Sequence, residues 1–593
     1  TAEGQTVRAG QTLVVIEAMK MEHVVAAAAH GRVSTVVVRP GDAVSPGDAL
    51  LALDSDGASA GMVSGAAEIA SADPDHIRPD LAEVRERHAI GLDERRGEAV
   101  DKRHRTGLRT ARENLADLCD PGSFVEYGPL AIAAQRQRRS LEDLIERTPA
   151  DGMLAGTATI NADLVGAENA NAVVLSYDYT VLAGTQGFTN HKKKDRAFET
   201  ARRRRWPVVV YAEGGGGRPG DTDGSWASML DVPAFELFAR LSARVPLVGV
   251  VAGRCFAGNA ALAGLCDVII AVEGANLGMG GPAMIEGGGL GMVPPSAIGP
   301  MSVQDRNGVV DVLVRDEAEA TRVARQYLSY FQGPFVDWEA PDPRLLRHVV
   351  PENRLRVYDI RDAVTGLADR DSVLELRRGF APGMVTALIR VEGRPMGLIA
   401  NAPTHLGGAI DHDAADKAAR FLQLCDAFGL PVVSLCDTPG FMVGPDSETH
   451  ATVRHFSRMF SVGANLSVPI GLVVARKCYG LGAQAMMGGS LKAPAFAVAW
   501  PTGEFGGMGL EGAVRLGYRK ELEAVQDPEA RAELFAKYVA AEYDRGRALS
   551  VATVFEIDDV IDPADTRRWI ATSFPEQKVG PQPRKVRPNI DTW

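Results

Sequence analysis

Cysteine, basic charge and long apolar runs are all scarce in this chain. Six cysteines among 593 residues stand at 119, 255, 266, 425, 436 and 478, and none falls in a C-x-x-C pair. That spacing argues against a zinc ribbon, is too sparse for a disulfide scaffold, and fits a reducing cytoplasm. No stretch reaches the ~18 apolar residues of a membrane helix. The opening TAEGQTVRAG has neither a basic segment nor an apolar one, so it is no signal peptide. The 64 Lys and Arg are outnumbered by 76 Asp and Glu, a net charge of −12, which argues against a general nucleic-acid binder. The GGGG at 214–217 lacks the Lys-Ser that completes a phosphate-binding loop. Of the eleven histidines, His191, His405 and His412 show no metal-ligand spacing, and no Ser-His-Asp set stands out. The remaining composition, 46% hydrophobic and 24% charged, is that of a globular chain. At ~100–200 residues per domain, the length implies roughly three to five domains.

A short repeat organises the front. GQTVRAGQTLV at 4–14 returns as GDAVSPGDALL at 41–51, an offset of 37, with Gly4, Val7, Gly10 and Leu13 falling on Gly41, Val44, Gly47 and Leu50. Each copy reads as a Gly-rich entry into a strand, and VVIEAMKMEHVVAAAA between them reads as a hairpin around Lys20. This is a small pseudo-symmetric β-domain. HGRVSTVVVRP precedes the second copy, whereas only Thr1, Ala2 and Glu3 precede the first. The repeat therefore predicts a further strand, and a longer polypeptide, upstream. Lys20 lies in EAMKMEH at 17–23. This resembles a biotinyl carrier domain, whose modified lysine sits between two methionines at a hairpin tip. Lipoyl domains share the half-repeats but usually lack that frame. A long tether on an exposed tip gives a prosthetic group high effective concentration at two sites.

A long repeat occupies the rest of the chain. WPVVVYAEGGG at 206–216 matches LPVVSLCDTPG at 430–440 with an offset of 224, placing Glu213 on Asp437. VPLVGVVAGRCF at 245–256 matches VPIGLVVARKCY at 468–479 with 223, and one inserted residue then restores 224. Upstream, Lys193 and Arg196 fall on Lys417 and Arg420. Each copy reads as helices alternating with short apolar strands and Gly-rich loops, an α/β layered domain. The loops GRCFAGNA at 253–260 and CYGLGAQA at 478–485 each lead from a strand into a helix. N–H groups at a helix start lack intrahelical partners and carry the positive end of the dipole, so such loops suit an oxyanion.

From about residue 100 the chain resembles the carboxyltransferase component of biotin-dependent acyl-CoA carboxylases. The resemblance rests on DPGSFVE at 120–126, DGMLAGTATI at 151–160, IANAP at 399–403, DTPGF at 437–441, AWP at 499–501 and IDDVIDPADTR at 557–567. The order of carrier and transferase resembles the single-chain actinobacterial acyl-CoA carboxylases of the long-chain type. The implied fold class is α/β: two tandem crotonase-like (ββα-superhelix) domains behind a small all-β biotinyl domain, a flattened barrel. The expected divisions are 1–53 carrier, 54–99 linker, 100–335 and 336–575 the two transferase domains, and 576–593 an extended tail. The implied reaction transfers CO₂ from carboxybiotin to the α-carbon of an acyl-CoA without a protein base. Short-chain carboxylation, a sodium-pump-coupled decarboxylation, and an inactive biotin-bearing scaffold are the alternatives.

By the same resemblance, biotin is joined to Lys20 by a biotin protein ligase. The N–H groups of Gly258 and Asn259 hold the thioester enolate, and those of Gly482 and Ala483 polarise the biotin ureido oxygen. Asn259 departs from the family's Gly-Gly pair and needs somewhere to put its side chain. Gln484 and Ala485 set the acyl size, with Met486, Met487 and Met508 as candidate lining. A biotin carboxylase region using ATP, Mg and bicarbonate is expected upstream on the same polypeptide. The assembly expected is a homo-hexamer, in which the loops facing one cleft come from different chains. LGMGGP at 277–282 is expected to line the acyl site. KKK at 192–194 and RRRR at 202–205 are candidates for the CoA phosphates, against the plainer reading of a solvated helix face.

Overall fold

The repeated glycines of the first 53 residues stand where the backbone needs a left-handed turn. Gly4 and Gly10 have φ of 82° and 84°, and Gly41 and Gly47 have 96° and 101°. Five strands surround them: β1 (Thr6–Val7), β2 (Thr12–Ala18), β3 (Met21–Ala26), β4 (Gly31–Val36) and β5 (Leu51–Ser55). β1, β4 and β5 form one antiparallel sheet and β2 and β3 a separate hairpin. Val7, Leu13, Ala27 and Val33 make the core between them. This computed structural model describes residues 1–55, 73–224, 230–574 and 589–593. The chain divides into two compact units, Thr1–Val84 and Arg85–Trp593.

In the second unit the 224-residue repeat becomes two sheets of like topology. The first comprises β6 (Val125–Glu126), β7 (Met153–Thr159), β8 (Asn171–Tyr177), β9 (Val208–Tyr211), β10 (Leu247–Val251), β12 (Val268–Val272) and β14 (Val312–Val314), side by side in that order. The short strands β11 (Arg254–Phe256) and β13 (Asn276–Gly278) pair apart from it. The second sheet runs β15 (Leu374–Leu376), β16 (Met384–Val391), β17 (Arg394–Asn401), β18 (Val432–Thr438), β19 (Ile470–Tyr479), β20 (Phe496–Ala499) and β22 (Asp559–Val560), with β21 (Glu504–Gly506) on the end of β19. In both sheets the first three strands are antiparallel and the rest parallel. The register repeats as well. Val173 pairs with Val208 and Gly397 with Val432, each residue 224 places on. The central strands are buried on both faces, as apolar runs such as VVVY require of a covered parallel sheet.

Four helices carry the loops and buried side chains of the candidate site: α1 (Phe188–Arg204), α2 (Gly258–Gly264), α3 (His412–Phe428) and α4 (Gly480–Met486). α1 and α3 are repeat partners of 17 residues each. α1 ends in Arg205 at φ 57°, where α3 ends in Gly429 at φ 76°. Arg205 thus takes the left-handed cap that glycine adopts more easily.

Two of the expected divisions are described in part. Of the stretch read as linker, residues 56–72 lie outside the described residues, but Pro79–Ile90 and Gly97–His104 are helical. Arg96 donates to Asp178 (2.8 Å) and to the Thr180 hydroxyl (2.7 Å), tying the end of that stretch to the first half. Of the expected tail, 575–588 lie outside the described residues. The last five residues are packed rather than free: Ile590 is buried, and its N–H donates to Ser242 Oγ. Among the described residues, no helix is long and apolar enough to cross a membrane.

Candidate active site

The carrier hairpin turns on Met19 and Lys20, both at positive φ (52° and 65°), with Ala18 and Met21 as the closing pair. Two central residues of that sign are what a two-residue hairpin loop of the primed type demands, normally with Asn or Gly there. Met19 is 99% exposed and Met21 64%. The Lys20 amine is likewise exposed, so the turn offers an unencumbered primary amine for acylation, and these residues fit a covalent biotin.

The first of the two Gly-rich loops is strained at its entry. Ala257, the N-cap of α2, has φ 52° and ψ −124°, a region sparsely populated by residues with a Cβ. In the second loop the positive φ falls on Gly480 (60°), the first residue of α4, behind an extended N-cap at Tyr479. Gly258 and Asn259 occupy the first turn of α2, where a helix has no acceptor to offer its own N–H groups. Among the described residues, neither these N–H groups nor those of Gly482 and Ala483 donate to an acceptor outside their helices. Gly482 is pressed onto the DTPGF turn: a Cβ there would lie 2.6 Å from the Gly440 carbonyl carbon and 2.8 Å from Phe441 N.

Asn259 solves its side-chain problem by burial. Its Nδ2 donates to the Gly184 carbonyl (3.0 Å) and the Glu213 carbonyl (2.7 Å), while its Oδ1 accepts from Gln186 Nε2 (2.8 Å). Every polar atom of a fully buried amide is thereby satisfied. The GGGG string lies beneath the same loop. Phe256 N donates to Gly214 O (2.9 Å), and a Cβ on Gly216 would meet that of Ala257 at 2.8 Å.

Behind each loop the repeat keeps a buried acid but changes its partner. Arg103 grips Glu213 with two hydrogen bonds of 2.7 Å. Asp437 accepts from Arg476 Nε (3.1 Å), the Tyr358 hydroxyl (2.8 Å) and Lys477 N (3.2 Å). The repeat position of Arg476 is Gly253, where any Cβ would collide with the Glu213 carboxylate. The longer acid fills the space that the missing side chain leaves, and its arginine comes from elsewhere. The matched lysines are buried too. Lys193 donates to the carbonyls of Gly128, Ala150 and Met153, and Lys417 to those of Arg377 and Phe380. Burial pushes Lys193 down to about 8 and Lys417 to about 7.

A cavity of about 1100 Å³ adjoins the second loop, lined by Leu481, Ala483, Gln484, Met487, Phe505 and Met508 among others. Gln484 is exposed into it, whereas Ala485 is only 1% exposed and belongs to the core, as does Met486. Of the two residues expected to set the acyl size, Gln484 lines this cavity and Ala485 does not. The basic runs divide between the core and the surface. Lys193 and Lys194 point inward, and Arg202 and Arg203 are both held by Glu199. LGMGGP lines no part of that cavity, and its Met279 is 70% exposed. Sequence reasoning missed Arg103 and Gln186. Arg103 meets Glu213 across 110 residues and Gln186 meets Asn259 across 73, and no local spacing marks either.

Comparison with known proteins accords with this geometry. Residues 102–590 match the family "Carboxyl transferase domain", and residues 1–53 match "Biotin-requiring enzyme". The 12S subunit of methylmalonyl-CoA carboxyltransferase from Propionibacterium freudenreichii subsp. shermanii is 34% identical over 506 residues, covering 83% of this chain and 93% of that protein. A crystal structure of transcarboxylase 12S, described as a hexamer assembly, superposes with a TM-score of 0.73 at 30% identity, covering 88% of this chain and 99% of the other. A structure of a single-chain, multi-domain long-chain acyl-CoA carboxylase gives a TM-score of 0.81 at 62% identity, covering 96% of this chain. The chain spans 54% of that protein's length. With two sheets of one topology, two matched Gly-rich loops and a lysine-tipped hairpin in front, the chain belongs to the carboxyl transferase family and carries a biotinyl domain of its own.

Proposed function

We propose that this chain is the carrier and carboxyltransferase portion of a biotin-dependent acyl-CoA carboxylase, a ligase of fatty acid metabolism that takes long-chain acyl-CoAs among its substrates. The observation that carries the reading is the matched pair of loops, each turning through a positive-φ residue into a helix start with free N–H groups. Gly258 and Asn259 hold the thioester oxygen as negative charge develops on it, where one donor contributes ~3–4 kcal/mol. Gly482 and Ala483 hold the ureido oxygen of the group carried by Lys20. Biotin, once bound there, supplies the activated carboxyl. The fixed backbone of both loops needs no reorganisation during the reaction.

Long-chain use is supported by the apolar part of the cavity beside the second loop, with Leu481, Met487 and Met508 in its wall. It is also supported by similarity to the single-chain long-chain carboxylase. The proposal places an ATP- and Mg-dependent biotin carboxylase region upstream on the same polypeptide, in the cytoplasm, and a homo-hexamer as the assembly. A [¹⁴C]bicarbonate fixation assay with ATP and acyl-CoAs of two to sixteen carbons, run on the full-length protein, tests the reading. Fixation onto palmitoyl-CoA is expected. Fixation onto acetyl- or propionyl-CoA alone would remove the long-chain assignment, and fixation onto none would remove the carboxylase reading.

A further inference from the structure

A loop of unusual composition springs from beside the first oxyanion loop. β11 and β13 pair as far as Phe256 on Gly278, and the Ala257 N–H, one residue before Gly258, donates to the Gly278 carbonyl (3.2 Å). The chain later returns to the same place. Leu277 N donates to Gly299 O (2.9 Å), and Asn276 Nδ2 to Ile298 O (3.1 Å). The neck of the loop is thus fixed against the residues that hold the thioester oxygen. Residues 277–299 include eight glycines and one charged residue, Glu286, in a chain of which 24% is charged. Met279, Met284, Leu290 and Met292 are 62–86% exposed. Large apolar side chains left in water together, with almost no charge among them, mark a binding surface. Gly289 and Gly291 meet a need for left-handed φ (74° and 91°). Gly287 meets none, and a Cβ there would touch nothing within 4 Å. Its bare backbone leaves room for something else to lie against it.

We propose that residues 279–292 form a flap that binds the acyl chain, in which Met284, Leu290 and Met292 hold the aliphatic tail of the acyl-CoA whose thioester sits at Gly258 and Asn259. The inference rests on the proposed carboxylase function and adds where a long chain goes. Several observations choose an aliphatic tail as the occupant. The neck adjoins the thioester site, from which the tail must start. Phe256 is buried there, its ring 3.4 Å from where a Cβ on Gly281 would lie, and it carries the apolar path back to the oxyanion loop. A surface with one charge suits a ligand portion that has no polar group to pair. Methionine adapts to tails of differing length. The segment has no aromatic residue and no arginine, the usual anchors where two proteins meet. The flap gives the thioester side of the cleft an apolar wall, as Leu481, Met487 and Met508 do beside the second loop. A tail of two or three carbons stops short of it, and each further CH₂ kept from water is worth up to about fourfold in affinity.

The test measures kcat and KM for acyl-CoAs of three to sixteen carbons with full-length wild type, Leu290→Ser/Met292→Ser, Met284→Ser and the conservative Leu290→Met/Met292→Leu. All three side chains are exposed, so no variant opens a core. On palmitoyl-CoA the serine variants should lose at least about tenfold in kcat/KM, chiefly through KM, and on propionyl-CoA less than about twofold. The conservative variant should stay within about twofold of wild type on both. Light scattering should show one oligomeric state for all four proteins. If wild type uses palmitoyl-CoA, an equal loss at every chain length, or no loss at any, overturns the inference alone. Serine variants that dissociate and lose activity at every length would make the flap an interface between copies, which also overturns it. A wild type inactive on palmitoyl-CoA overturns the long-chain reading and this inference with it.

Discussion

Gly482→Ala should disable the second oxyanion loop without unfolding the protein. The added Cβ would lie 2.6 Å from Gly440 C, 2.8 Å from Gly440 Cα and 2.8 Å from Phe441 N, all backbone atoms. Gly440 itself is held at φ 122°, and Thr438 Oγ1 accepts from its N–H at 3.1 Å, so the DTPGF turn cannot yield easily. Overpacking of this kind costs about 1–3 kcal/mol. The start of α4 relieves it by shifting, and a misplaced donor costs about 3–4 kcal/mol at the transition state. The half-reaction kcat should drop at least a hundredfold. Gly258→Ala is a useful contrast. Its Cβ would meet only the end of the Gln186 side chain, at 2.8 Å, so a milder loss is expected. Steady-state kinetics with a parallel thermal melt decide the matter. A folded Gly482→Ala protein retaining kcat within threefold of wild type would refute the reasoning.

Three further outcomes rest on named contacts. Lys20→Arg removes the amine needed for amide formation, so the protein should show no streptavidin-reactive band and no overall carboxylation; a reactive band would contradict the assignment of Lys20. Arg103→Met strands the Glu213 carboxylate at 7% exposure without its two 2.7 Å partners. Loss of one partner of a buried pair costs about 3–5 kcal/mol, and urea unfolding should show it. Lys194→Met should change how stability depends on pH. The folded lysine sits at about 7, below its ordinary 10.5, with burial as the chief cause. Between those values the unfolded chain holds a proton that the folded chain has released, so wild-type stability rises with pH there. Relative to the variant, wild type should gain about 2 kcal/mol in unfolding free energy from pH 7 to pH 9. A constant difference over that range would show that Lys194 stays charged.

The duplication was legible because the central strands repeat nearly residue for residue. The 224 spacing survives into the pairing of Val208 and Val432 with their neighbours. Lys20 was legible from its two methionines. The supports of the oxyanion loops were not, because Gln186 reaches Asn259 across 73 residues and Arg103 reaches Glu213 across 110. Which lysines of the KKK run are buried was not legible, for a geometric reason. Successive residues on a helix point about 100° apart, so one lysine of three can face outward while its two neighbours enter the core. The same holds at Ala485: one position separates the exposed Gln484 from the buried methyl.

The exchanged arginines behind the two loops make the duplication a one-way history. Transplanting 430–484 in place of 206–260 would bring Arg476 with its own acid while leaving Arg103 in place, so that two guanidiniums would converge on one carboxylate. The reverse transplant would put Glu213 beside Gly253 with no arginine in reach. The halves share a topology and a register, yet neither can stand in for the other. Each has become dependent on a charge supplied by its own surroundings, and the two ancestral copies are no longer interchangeable parts.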